Sequence, residues 1–381
     1  MAVYDWPYGV KAFWPRAARW RTLINERATV SALSGYTQTG STPGARWGVA
    51  LDFAAQSYAE RRTLKGWIDR LQGNKNRVGM FDPAQPVPAG TVTLSGVALS
   101  ASAAQFATSL QLSGCLHIRN LLLGAGFELD SNADGTADGL TAYNAGTSSG
   151  LAYSRVGGNG STYAQRVSAS SLGSASGDQV GFRWTTAVAV TADVAYTMAA
   201  DLYATSGTSV SIEVNYYNVS NVIVGAPQKG TWAGNSVSYD RRSLTSTAPA
   251  GAVTAVIYVY MHSNSAGAPD LRVDNAQFEA SATATAFGGP ATILAGDWLG
   301  ASTGQLLSVV TDVTADDLGR ATVEVVQPLR SALASASAIT LDKPRTPMVL
   351  QLSNGATPEI PFDGNGLAPP FTLELVEGWT A

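Results

Sequence analysis

The run Asp130-Ser-Asn132-Ala-Asp134-Gly-Thr136-Ala-Asp138 places side-chain oxygens at every second position around a glycine. A hard cation such as Ca2+ takes roughly six to eight oxygen ligands, and the first half of a calcium loop has this spacing. Gly135 stands where such a loop turns. The distal glutamate that would close the cage is missing, because Tyr143 and Asn144 occupy that region. The same run also reads as an Asx-rich hydrophilic turn, in which short acids and Asn132 bond their own backbone.

A second chemistry belongs to aromatic residues between 120 and 285. The C–H faces of sugars lie well on aromatic rings, while polar side chains fix the hydroxyls. Tyr258 and Tyr260 share one face of a strand by period two, and Ile257, Val259 and Met261 take the other. The aliphatic face is core. The tyrosine face is either a binding platform or the outer side of a covered sheet. Trp184 beside Arg183, and Tyr163 beside Gln165, complete the candidate sugar contacts.

Catalytic signals are sparse. The two histidines, His117 and His262, stand at no metal-ligand spacing. Gly146-Thr-Ser148-Ser-Gly150 matches the nucleophile-elbow string, but its Gly/Ser/Thr surroundings are not the strand–turn–helix that the elbow needs. Asp316-Asp317 is a turn pair, and no glycine-rich loop opens a helix as a phosphate site requires. A non-enzyme is expected. Because carboxylates alone can run glycoside hydrolysis, a glycan-active enzyme or its accessory module stays as the alternative. A purely structural insert without a ligand is the third reading.

The elements that must carry these residues are mostly strands. Tyr196–Tyr203, Ser209–Tyr217 and Thr254–His262 are strongly β, with turn signals at Ser206-Gly207, Ser220-Asn221 and Ala248–Gly251 between them. This pattern predicts a two-sheet sandwich. Before it, Ala45–Phe53 alternates as a half-buried strand. Ser57-Tyr-Ala-Glu60 is a capping box, and Leu64, Trp67, Ile68 and Leu71 follow at helical spacing up to Gly73. One amphipathic helix over 58–72 is predicted. Thr91–Ser95 and Ser109–Ser113 read as short strands. The pattern they begin resumes only near residue 288, at Ile293–Leu299, Gln305–Val310, Ala321–Val326 and finally Phe371–Trp379, with a turn at Asp316–Gly319. The fold expected is mainly β: a split barrel-like scaffold of residues 1–119 plus 286–381, carrying residues 120–285 as an inserted jelly-roll sandwich.

Composition agrees with short strands and tight turns. Of 381 residues only 14% are charged, and no run approaches the roughly 18 apolar residues of a membrane span. The N-terminal residues lack the basic and apolar regions of a signal peptide, so synthesis in the cytoplasm is expected. The single cysteine, Cys115, excludes an internal disulfide framework and reads as a small buried residue. Residues 1–90 hold 12 Lys/Arg against 6 Asp/Glu, whereas residues 286–381 hold 4 against 10. Opposite signs can complement one another within a chain or across a subunit boundary. The basic residues are spaced through apolar sequence, which is not the block that nucleic-acid binding uses.

Four segments of the insert resemble the jelly-roll carbohydrate-binding modules of phage tails and glycanases. They are Asn120–Glu128, Tyr196–Tyr203, Ser246–Ala252 and Leu271–Glu279. The resemblance implies a structural calcium ion between the opening Gly-Phe-Glu and the closing aspartate, which falls on Glu128 and Asp274 with Asp130 nearby. The flanks resemble siphophage distal-tail or minor tail-tip proteins through Trp20–Asn25, Ser34–Gln38, Pro43–Trp47, Ala295–Trp298, Gly319–Glu324 and Pro328–Arg330. That resemblance implies a virion protein at the tail tip. It would form a homo-oligomeric ring, sixfold or threefold, joined to the tail tube, tail hub and other tail-tip proteins. The ring would display its insert to a host surface glycan, and repetition would strengthen weak single sites.

Overall fold

Ser57 opens the long helix by the expected device. Its Oγ accepts the Glu60 N–H (3.4 Å) while the Glu60 carboxylate accepts the Ser57 N–H (3.0 Å). The helix spans Tyr58–Arg70, two residues less than its spacing predicts, because Gln72 and Gly73 both take left-handed backbone (φ +51° and +68°). The computed structural model describes the chain except residues 1, 24–25, 31–36, 42–45, 173–177, 235–236, 265–267, 352–366 and 379–381. Residues 24–25, 34–36 and 43–45 of the flank motifs, and Trp379 of the last expected strand, lie outside the described residues. With 46% strand and 5% helix, the chain is mainly β.

Leu64 and Ile68 of the helix and Leu71 at its C-terminal cap are buried, and the first two pack on a six-stranded sheet. Its strand order is Val3–Asp5, Arg77–Met80, Thr346–Leu350, Phe371–Glu377, Arg46–Phe53 and Ala17–Leu23. The Arg46–Phe53 strand is more deeply buried than the half-buried strand expected. It is paired on both sides, its apolar residues enter the core, and the space beside Gly48 is filled by Leu23. Leu373 and Leu375 enter the same core as anticipated.

A second core gathers residues from 92 to 115 and from 291 to 341 around short strands such as Ser109–Ser113 and Ala321–Glu324. Thr91–Ser95 is not a full strand there, since Val92 makes only a single bridge to His117. The two flank cores meet along the Trp298–Ala301 strand. Trp298 and Leu306 face one, and Leu299 and Leu307 face the other, as strand alternation requires. Trp47 Nε1 donates to the Leu306 carbonyl (2.8 Å), and buried Glu377 accepts from Trp47 N–H (3.1 Å) and pairs with Arg330.

Between these flanks lies a sandwich of two antiparallel sheets. One has the order Leu140–Ala145, Gln179–Trp184, Thr254–Asn264, Thr208–Tyr217, Gln228–Ala233. The other has Ala152–Gly157, Tyr163–Ser168, Asp270–Glu279, Ala195–Ala204, Asp240–Thr247. Phe182, Ile212, Val259 and Met261 of the first sheet meet Val167, Met198, Val273 and Phe278 of the second. The opening segment runs beside the closing strand. Asn120 Nδ2 donates to the Ala276 carbonyl (2.9 Å), and its Oδ1 accepts from Leu122 N–H (3.1 Å) and Phe278 N–H (3.2 Å). At the joint with the flanks, Asp317 accepts the Glu128 N–H (2.6 Å), and its carbonyl accepts the Gly124 N–H (2.7 Å).

Candidate functional site

The outer face of the first sandwich sheet carries two rows of polar and aromatic residues, aligned by strand register. One row runs Thr141, Arg183, Tyr258, Glu213, Lys229. The next runs Tyr143, Gly181, Tyr260, Ser211, Thr231. Alternation sends Val210, Ile212, Val214, Ile257 and Val259 inward from the same strands, where they are buried.

Gly181 shapes this face. A Cβ there would stand 2.7 Å from the Tyr260 Cβ, so the row has a gap where another residue would stand. Across that gap the Tyr143 ring reaches Tyr258 (centroids 5.0 Å, edge-on) and Tyr260 (5.9 Å). The Lys229 ammonium lies 5.2 Å over the Tyr260 ring and His262 sits 5.9 Å from it. Tyr260 is therefore fully buried although it points away from the core. Its hydroxyl donates to Glu213 (2.6 Å), and Asn215 Nδ2 donates to the other Glu213 oxygen (2.9 Å). Burial, and secondly the Glu213 carboxylate, push the Tyr260 phenol well above the ordinary tyrosine range. Burial likewise raises Tyr143 and Tyr217 and lowers His262, whose Nε2 lies 2.9 Å from Ser211 Oγ.

What remains accessible is a half-buried Tyr143, Tyr217, Tyr258 and Glu213 and an exposed Arg183 and Lys229, with buried Asn215 bracing the Glu213 carboxylate. These supply ring faces, donors and an acceptor on one face of the sheet, which suits a polyhydroxylated ring. Glu213 is the one carboxylate in the two rows. Hydrolysis of a glycosidic bond uses a pair.

Four of the six expected sugar contacts do not join this face. Trp184 alternates with exposed Arg183 and so points inward. It is 2% exposed, packs 6.2 Å from Phe127 and cannot stack on a ligand. Tyr260 is a covered floor, not a platform. Gln165 is fully buried in the opposite sheet, where Oε1 accepts Ala137 N–H (2.6 Å) and Nε2 donates to the Gly135 carbonyl (2.9 Å). Its neighbour Tyr163 is exposed, but at the start of that opposite sheet, under the Arg155 guanidinium (4.4 Å). Tyr258 and Arg183 are the two that meet. Reasoning from sequence missed Glu213, Asn215 and Lys229, although Ser211, Glu213, Asn215 and Tyr217 do alternate with apolar residues.

The acidic loop behaves as the Asx turn. Asp130 accepts the N–H groups of Asp134 and Gly135 (both 3.2 Å) and lies 3.6 Å from Arg155 Nε. Asn132 donates to Asp134 (2.9 Å), Asp134 accepts Thr136 N–H (2.7 Å), and Asp138 is bonded to Ser131, which holds its carboxyl below the usual range. Glu128 and Asp274 clamp one loop. Glu128 accepts Thr162 N–H (2.9 Å), while fully buried Asp274 accepts Asn159 N–H and Ser161 Oγ–H (2.5 and 2.6 Å). Burial raises the Asp274 carboxyl. Among the described residues no three His, Cys, Asp or Glu converge. These oxygens, occupied by N–H and O–H donors, do not fit a calcium cage as arranged.

No protein-family model matches the chain, and no curated protein matches its sequence. Among solved structures, the chain is similar to the module TmCBM61 in complex with β-1,4-galactotriose, at 13% identity over 43% of this chain and 99% of that one, with a TM-score of 0.30. It is also similar to the CBM22-1 xylan-binding domain of Paenibacillus barcinonensis Xyn10C, at 12% identity over 42% and 94%, TM-score 0.30. A third likeness is to the enzymatically active domain of tailspike protein 4 of bacteriophage CBA120, at 10% identity over 42% of this chain, TM-score 0.34. The chain spans 21% of that tailspike domain's own length. Likenesses this distant carry no ligand or activity across. Among the described residues no helix is long and apolar enough to cross a membrane.

Proposed function

We propose that the sandwich is a glycan-recognition module without catalytic activity, and that it binds through the outer face centred on Tyr258. The supporting observation is the pair of cross-strand rows, which set accessible tyrosine rings beside Glu213, Arg183 and Lys229 on rigid strands. Tyr258 and Tyr143 would stack on the sugar, and the charged groups would read its hydroxyls. The flanks, by their resemblance to tail-tip proteins, are proposed to form a ring at the tip of a phage tail, joined to tail tube and hub, so that repeated weak sites act together on a host surface glycan.

A glycan array probed with the oligomeric protein tests the binding reading. Tyr258→Ala and Arg183→Ala should each abolish most of the signal while the protein stays folded. Full retention in both folded variants would refute this face. Mass photometry tests the ring, and a single copy per particle would reject it.

A further inference from the structure

A groove on the scaffold is built from elements separate from the sandwich. It is about 770 Å3 in volume, within the range of roughly 300–1,000 Å3 typical of small-ligand sites. Its walls include Tyr8, Trp14, Arg16, Phe81, Pro83 and Lys343. Trp14 is 60% exposed, and it is the one exposed tryptophan among the described residues. Its ring is fixed, because Nε1 donates to the Tyr8 carbonyl (2.5 Å). Tyr8 is fixed as well. Its hydroxyl donates to the Phe81 carbonyl (2.6 Å) and accepts the Phe81 N–H (2.9 Å), which holds the two rings 4.1 Å apart. An exposed indole is thus mounted on a locked aromatic pair.

The charge in this groove has one sign. Arg16 and Lys343 are exposed and neither side chain is in an ion pair within 4 Å of a described residue, although the Arg16 charge also acts on the Asp52 carboxylate outside the lining, which pairs with Arg19. No carboxylate is among the lining residues, and the nearby Asp82 is turned onto the Ala84 N–H (2.9 Å). The backbone of Lys343 is also anchored here, its N–H donating to the Pro86 carbonyl (2.7 Å) with φ at +47°. A neutral sugar would leave both cations without a partner. A protein partner would need an interface of about 800 Å2 per side, larger than such a groove presents. An apolar ring face beside two exposed cations, with no carboxylate in the lining, matches a sugar ring that carries a carboxylate.

We infer that this groove is a second saccharide site, selective for uronate-type acidic sugars, with Trp14 stacking on the ring and Arg16 and Lys343 pairing with its carboxylates. The site is independent of the tyrosine face and would stand if that face bound nothing.

Isothermal titration of the full chain with trigalacturonate, and with neutral maltotriose as control, tests it. Trigalacturonate should bind and maltotriose should not. Trp14→Ala should weaken binding about tenfold, and Trp14→Phe should restore most of it. Arg16→Gln with Lys343→Gln should also weaken it about tenfold and flatten the dependence on salt between about 50 and 500 mM NaCl. Tyr258→Ala should leave the affinity unchanged. Melting curves check that each variant folds. Equal binding of maltotriose, no heat at millimolar trigalacturonate, or unchanged affinity in Trp14→Ala would each overturn the assignment. Loss of self-association in Trp14→Ala by sedimentation velocity, without any saccharide binding, would overturn it in favour of a contact between copies.

Discussion

Tyr260→Phe separates a covered floor from a binding platform. The substitution keeps the ring and deletes one hydroxyl, which is fully buried and donates to Glu213 at 2.6 Å. A hydrogen bond to a charged acceptor contributes about 1.5–3 kcal/mol. Glu213 is only half-buried and keeps its bond from Asn215, so water can partly replace the lost donor. A net loss of about 2 kcal/mol follows from the lower part of that range. For a module of this size that is a fall in Tm of about 4–8 °C. Scanning calorimetry of the full chain should show the fall in the transition of the sandwich. Glycan signal at saturating display should stay within about twofold, since the Tyr260 ring touches no ligand. Tyr258→Ala should do the opposite, with little change in Tm and loss of binding. If Tyr260→Phe weakened binding as much as Tyr258→Ala and left the Tm unmoved, the assignment of floor and platform would be refuted.

Asn120→Ala removes three buried hydrogen bonds, two of which tie the opening segment to the closing strand while the third holds the opening segment's own turn, and should cost about 2–4 kcal/mol by urea denaturation. A loss below about 0.5 kcal/mol would mean that this seam does not hold the sandwich closed. Tyr8, Tyr143, Tyr217 and Tyr260 all have phenols raised in the folded state, burial being the main cause in each. Unfolded tyrosines ionise near about pH 10 and these do not, so their contribution is intact below that pH and is lost as pH rises further. Above the range in which the histidines and carboxylates titrate, the urea midpoint should therefore be level from about pH 8 to about pH 10 and fall above it, and Tyr260→Phe should reduce the slope. Because the acidic-loop oxygens and Asp274 are already occupied by donors, excess chelator should leave the melting of the sandwich unchanged. A Tm drop on chelation, reversed by Ca2+, would show that these loops rearrange around an ion.

Much of the fold could be read from local pattern. The capping box at Ser57 and Glu60, the alternation of Thr254–His262, and the turns at Ser220-Asn221 and Ala248–Gly251 rest on residues within a few positions of one another. The helix overran by two residues because side-chain spacing does not report that Gln72, as well as Gly73, would turn left-handed. The division of the flanks into two cores was not legible. It depends on Trp298 and Leu299, adjacent in sequence, serving opposite sides of one strand.

The site divides along the same line. Period-two alternation in the sequence determined that Tyr258 and Tyr260 share a face opposite Ile257 and Val259, and the same rule applied to Arg183 would have sent Trp184 inward. Sequence alone also determined that few groups suited to catalysis are present. Only tertiary structure decided that Tyr260 is covered and Tyr258 open. Alternation states which side a residue takes but not what lies across the next strand. The cover comes from Tyr143, which reaches over Gly181, and from Lys229, each on a separate strand of the sheet. Accessibility is a property of such non-local neighbours, and register, which no short window contains, chooses them.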